Sequence, residues 1–132
     1  MHKRFLVTGA LLAGTGVALG AFGAHGLEKM TSDARILHGF QTGVLYQLLH
    51  ALALLFLALA AGKITHRGIN WAGNLFTAGV VLFSGSLYLL TFLKIQGSTA
   101  VRFIGPVTPL GGVCFIAGWL ALVIAAVSLR KD

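Results

Sequence analysis

Four stretches of this chain contain no Asp, Glu, Lys or Arg: residues 5–27, 36–62, 68–93 and 103–129. Each is longer than the ~20 residues that an α-helix needs to cross a hydrocarbon core of ~30 Å. Between them lie short segments that carry nearly all the charge. The pattern predicts an all-α integral membrane four-helix bundle, a single transmembrane domain over residues 1–132. Its spans are expected at about 5–25, 41–62, 69–93 and 104–129.

The connections differ in what they can hold. Residues 26–40 have room for structure. Thr31, Ser32 and Asp33 supply helix-start chemistry, and Ile36, Leu37 and Phe40 fall on one side of a turn. A short interfacial helix running into the second span is expected there. Residues 63–67 read as a tight turn, and residues 94–102, with Gly97 and Ser98, as a flexible loop. Pro106 and Pro109 fall in the first turns of the fourth span, where proline costs little.

Small residues mark packing faces. In the first span Gly9, Ala13, Gly16, Gly20 and Gly23 recur at steps of four and three, a heptad seam. Gly111, Cys114, Gly118, Ala121, Ala125 and Ser128 repeat the rhythm in the fourth. Helices in lipid associate by close packing, which small seams permit. Gly9, Gly16, Gly20, Gly23, Gly111 and Gly118 are therefore the expected packing positions. No internal repeat of the kind that builds transporters is evident.

Composition strengthens the membrane reading. The chain is 57% hydrophobic and 10% charged, with mean hydropathy +0.89, too little charge to clothe a soluble domain of 132 residues. Its 18 glycines suit close packing in lipid. The net charge of +7 does not point to nucleic acid, because the basic residues sit in pairs beside the spans, where they meet headgroups. The start of the chain, with His2, Lys3 and Arg4 before an apolar run, resembles a signal peptide. The run is too long for a typical signal core and its glycines are spaced as a packing face, so a retained helix is expected. Lys3, Arg4, Lys63, Arg67, Arg130 and Lys131 lie on one side, and Lys29, Arg35, Lys94 and Arg102 on the other. That bias places both termini in the cytoplasm of a cell (inner) membrane protein.

Polar side chains within the spans are the best functional lead. Gly43, Gln47 and His50 share a helical face, with Tyr46 beside them, and Ser84, Tyr88 and Thr91 do the same in the third span, near Ser86. With His25 at the end of the first span and Thr108 near the start of the fourth, they form a candidate polar cluster: His25, Tyr46, Gln47, His50, Ser84, Ser86, Tyr88 and Thr108. All fall in the outer half of the expected topology, while residues 51–61 are wholly apolar. An ionisable residue inside a span is a functional hypothesis by default. Against it stands a structural role, in which Gln47 and His50 hydrogen-bond to neighbouring helices. A haem between His25 and His50 fails on depth, because His50 lies on the order of 10 Å further into the bilayer. Cys114, the sole cysteine, excludes an internal disulfide and argues against a cysteine metal cage. No paired intramembrane carboxylates or nucleophile–base set is present. No enzyme, cofactor or metal is expected.

Several segments carry a family resemblance. Residues 20–27 (Gly-Ala-Phe-Gly-Ala-His-Gly-Leu), Tyr46-Gln47 with residues 50–53, residues 82–88, residues 108–112 and residues 117–119 resemble the signature segments of domain-of-unknown-function family 423. These are small bacterial inner-membrane proteins with eukaryotic relatives called transmembrane protein 256. The resemblance implies four membrane helices and no activity. Two functions remain. One is a structural or accessory membrane protein acting through helix association, whose partners are the bilayer and a homo-oligomer or larger complex. The alternative is a channel or carrier for a proton, ion or small solute through an outer polar cavity, with Asn70 and Asn74 as the candidates for its inner end.

Overall fold

The computed structural model describes residues 2–129. It contains four helices long and apolar enough to cross a membrane. The first, α1 (Lys3–His25), ends in a 3₁₀ turn at Leu27–Lys29, and α2 spans Ala34–Ala60. The third span comprises α3 (Gly68–Gly79), a π-helical segment (Val80–Ser84) and α4 (Gly85–Ile95). The fourth comprises a single turn, α5 (Val101–Ile104), and α6 (Val107–Val127).

The boundaries follow local chemistry. Asp33 caps α2, its side chain accepting from the Arg35 amide at 2.9 Å. From there α2 runs unbroken for 27 residues. The interfacial helix expected before the second span is thus its first turns, continuous with it, because nothing between Ala34 and Phe40 breaks the helix. α4 closes in a Schellman motif. Gly97 has φ +66°, Gly97 N–H donates to Lys94 O at 3.1 Å, and Ser98 N–H donates to Leu93 O at 2.9 Å. What the sequence suggested as a loop at 94–102 is this cap followed by the short α5. Pro106 stands at the start of α6 with φ −65°, and Pro109 occupies its first turn, where no amide proton is needed.

Neighbours in sequence are neighbours in space. α1 packs along α2, α2 along the third span, and the third span along α6. The second and third spans are the centre: 44% and 39% of their most apolar stretches are buried, against 17% and 22% for the first and fourth. Toward the termini the core is Phe5, Leu54, Leu57, Ala58, Ile69, Ala72 and Phe76. Toward the far end, which carries Glu28 and Ser98, a second apolar core gathers Leu27, Phe40 and Val44.

Glycines set the helix separations. Along α1, a Cβ on Gly9 would lie 3.0 Å from Ala51 O, and on Gly16 2.7 Å from the Leu48 side chain. On Gly20 it would meet Val44, and on Gly23 Phe40. The third span and α6 interlock differently. Phe76 sits on Gly118, Phe83 on Gly111 and, from the opposite helix, Phe115 on Gly79. Phe5 of α1 likewise fills the space over Gly73.

A candidate functional site at mid-bilayer

Between the two apolar cores lies a layer of buried polar side chains: Gln47, His50, Ser84 and Ser86. Gln47 projects from α2 toward α1 and α4. Its amide nitrogen donates to Leu12 O at 2.9 Å and to Thr15 Oγ1 at 3.0 Å, while its oxygen accepts from the Tyr88 hydroxyl at 2.7 Å. Thr15 passes its own proton to Leu11 O at 2.8 Å. One carboxamide therefore joins three helices, with both its N–H groups and its oxygen bonded, which also fixes which end is oxygen.

One turn on, His50 points the other way, toward α6. Its ring stacks on Phe115 at 3.6 Å between centroids and 7° between planes. The Trp119 indole N–H donates to His50 Nε2 at 3.1 Å. Indole is a donor only, so Nε2 is the acceptor and the ring proton sits on Nδ1, which donates to Tyr46 O at 2.8 Å. This hydrogen-bond pattern holds the imidazole neutral and in one tautomer.

The remaining pairs are local. Ser84 Oγ, at the end of the π segment, donates to Gly43 O at 2.7 Å and so ties the third span to α2. Ser86 and Thr108 hydroxyls lie 2.6 Å apart, linking α4 to α6. Tyr46 is 39% exposed; its ring contacts Phe83 and Phe115, and its hydroxyl has no hydrogen-bond partner among the described residues. His25 is exposed at the end of α1, apart from the layer. The cluster thus resolves into separate ties, those of Gln47, His50 and Ser84 on different faces of α2 and that of Ser86 with Thr108 between α4 and α6, rather than one shared interior.

The layer is also closed at both ends. Toward the termini lies the apolar core around Leu54 and Leu57, both fully buried. Toward the far end an aromatic plug intervenes. Phe22 lies 5.9 Å from Phe40 and 6.4 Å from Phe92, Phe40 lies 5.0 Å from Tyr88, and Leu27 is fully buried. The outer interior expected to be polar is therefore apolar at its mouth, because Phe40 and Phe92 turn inward beside Leu27. Asn70 and Asn74, the candidates for an inner polar end, are exposed on a surface cleft with Arg67 and Trp71.

Thr15 and Trp119 hold partners in this layer that no pattern along the chain singles out. The signal for Trp119 was its position: tryptophan favours the membrane interface, and this one stands in mid-span. Among the described residues no three His, Cys, Asp or Glu side chains gather as metal ligands.

Four apolar spans joined by minimal loops, with polar groups reserved for helix-to-helix bonds, define a small multi-pass membrane protein. The family model described as "Protein of unknown function (DUF423)" matches residues 19–112, and the chain belongs to this family. It is 48% identical over 123 residues to a UPF0382 membrane protein of Staphylococcus epidermidis (strain ATCC 12228 / FDA PCI 1200), covering 93% of this chain and 94% of the relative. It is 47% identical over 126 residues to the UPF0382 membrane protein YwdK of Bacillus subtilis (strain 168), covering 95% and 97% respectively. No solved structure matches the chain.

Proposed function

We propose that this protein is a structural or accessory component of the cell membrane that acts by helix association, without transport or catalysis. The observation that carries this reading is the disposition of the polar layer: Gln47, His50, Ser84 and Ser86 are each spent on a bond within the bundle, between apolar cores. A conduit needs polar groups free to exchange partners along a continuous track, and these are neither free nor continuous.

A face for association is available on α1. Its inward seam is occupied by α2, but Ala10, Gly14, Ala18 and Ala21 form a second stripe of small residues that is exposed, and nothing lies within 4 Å of a Cβ at Gly14. Another helix can approach closely there, from a second copy or from a larger complex. The excess of Lys and Arg beside the termini and at residues 63–67 supports a cytoplasmic location for both ends.

The test has two arms. Purified protein in liposomes should give proton and cation flux equal to that of empty liposomes, and Gly14→Leu should change the size of the assembly extracted in mild detergent while the subunit stays folded. A flux that His50→Leu abolishes in folded protein would establish the conduit instead. Orientation is read by impermeant thiol labelling in a Cys114→Ser background, with Ser98→Cys reactive from outside and Thr65→Cys protected.

A further inference from the structure

A groove of about 580 Å³ opens between α2 and α6 onto the lipid-facing surface. Its walls are aromatic and aliphatic: Tyr46, Leu49, Phe83, Phe115, Ile116 and Trp119, with the His50 ring at its floor. The volume lies in the range of small-molecule sites, whose walls are mostly apolar with a few placed polar groups.

Three features single it out. First, Tyr46 presents a hydroxyl with no partner among the described residues, although Tyr88, the other tyrosine, donates to Gln47. Tyr46 is about 18 Å along a helix of about 40 Å, so its hydroxyl lies within the hydrocarbon, where water does not satisfy it. Second, the wall carrying Phe83 is the π-helical segment Val80–Ser84, and such segments recur at functional sites. Third, the His50–Trp119 bond and the His50–Phe115 stack hold flat rings in fixed orientations around the opening.

These features narrow the occupant. A lipid acyl chain would fill the space and leave the hydroxyl unpaired. A second copy of this chain would need a stripe of small residues for close approach, yet the groove offers a single one, Gly112, among large side chains, and no residue of α1 lines it. A flat conjugated ring bearing a carbonyl, on a molecule soluble in the bilayer, meets both demands: it stacks on the aromatic walls and accepts from Tyr46. We propose that this groove binds a membrane-soluble ligand of the quinone class, with Tyr46 Oη as hydrogen-bond donor to its carbonyl.

The test uses the full chain in nanodiscs with a short-chain ubiquinone as probe and decylbenzene as the carbonyl-free control. Trp71→Phe leaves Trp119 as the sole tryptophan, so quenching reports on the groove. Quenching by the quinone should saturate. Tyr46→Phe should raise the half-saturating concentration about 2- to 10-fold, the worth of one hydrogen bond. Gly112→Leu should remove the saturable part without disturbing the fold, because a Cβ there meets only Phe83 Cδ2 at 3.9 Å. Leu45→Phe narrows the same groove from α2 should Gly112→Leu fail to fold. The proposal is overturned by quenching that rises linearly and equally in all variants. It is overturned too by decylbenzene displacing the quinone from Tyr46→Phe and parent protein alike, or by the groove variants dissociating an oligomer.

Discussion

The two helix pairs of this bundle solve the same packing problem in opposite ways. In the α1–α2 pair the glycine spaces are all on one helix. Gly9, Gly16, Gly20 and Gly23 of α1 receive aliphatic side chains and the Phe40 ring from α2, most of them with flexible ends. Between the third span and α6 the roles alternate: Phe76 and Phe83 enter glycine spaces on α6, and Phe115 enters one on α3. The one-sided pair lets its neighbours shift, except at Gly9, where the Ala51 carbonyl stands 3.0 Å from a Cβ. The reciprocal pair has rigid rings locked from both sides, and at Gly111 the neighbour is the backbone of Phe83 itself, with Cα 2.7 Å from where a Cβ would stand. Tolerance to substitution should therefore differ between pairs that look alike in composition.

The largest effect expected is at Gly111. Gly111→Leu should destabilise by ~3 kcal/mol or prevent assembly of the bundle, since overpacking against backbone leaves nothing to move. Gly16→Leu should cost ~1–2 kcal/mol, because Leu48 Cδ2 is the atom met first and can rotate away. Thermal unfolding in one detergent measures both. Equal losses would erase the distinction between the pairs.

This contrast also explains what the sequence disclosed. A one-sided seam writes its period on a single helix, so Gly9, Gly16, Gly20 and Gly23 were legible as a face. The reciprocal contacts were legible only in their α6 half, the stripe with Gly111 and Gly118, since Gly79 and Gly73 belong to no regular stripe in the third span and the rings they receive lie on other helices. The polar layer was legible as residues and not as pairs. Gln47 and Ser84 bond to the backbone carbonyls of Leu12 and Gly43, acceptors that every residue possesses, so the sequence cannot point to them. The division of Gln47 from His50 arises because α1, α4 and α6 surround α2 on different sides, which neighbouring positions on a helical face do not encode.

The polar layer adds a second contrast, between ties that join three helices and ties that join two. Gln47→Leu strands the Tyr88 hydroxyl and removes both bonds to α1, at Leu12 O and Thr15 Oγ1, and should cost about 2 kcal/mol, near the top of the range for hydrogen bonds between membrane helices. Adding Tyr88→Phe should return part of that loss, because the stranded donor is gone. His50→Leu strands only the Trp119 N–H, whose ring is 41% exposed, and should cost roughly 0.6–1 kcal/mol. A larger loss at His50 than at Gln47 would mean that the stack on Phe115, rather than hydrogen bonding, holds α6 in place.

The smallest effect, and the one of opposite sign, is expected at Gly85, the residue that resumes the α-helix after the π segment. It has ordinary helical angles, φ −59° and ψ −44°, and nothing lies within 4 Å of a Cβ built on it. It therefore sets no helix separation and has no conformational need for glycine. Gly85→Ala removes backbone freedom from the unfolded chain and should stabilise by about 0.5–1 kcal/mol. The comparison with Gly111 is direct: both glycines lie in the pair formed by the third span and α6, one against a neighbour's backbone and the other facing open space. If Gly85→Ala instead lowers the melting temperature in lipid while leaving it unchanged in detergent, something in the membrane covers that face, and the third span has a partner beyond α1, α2 and α6.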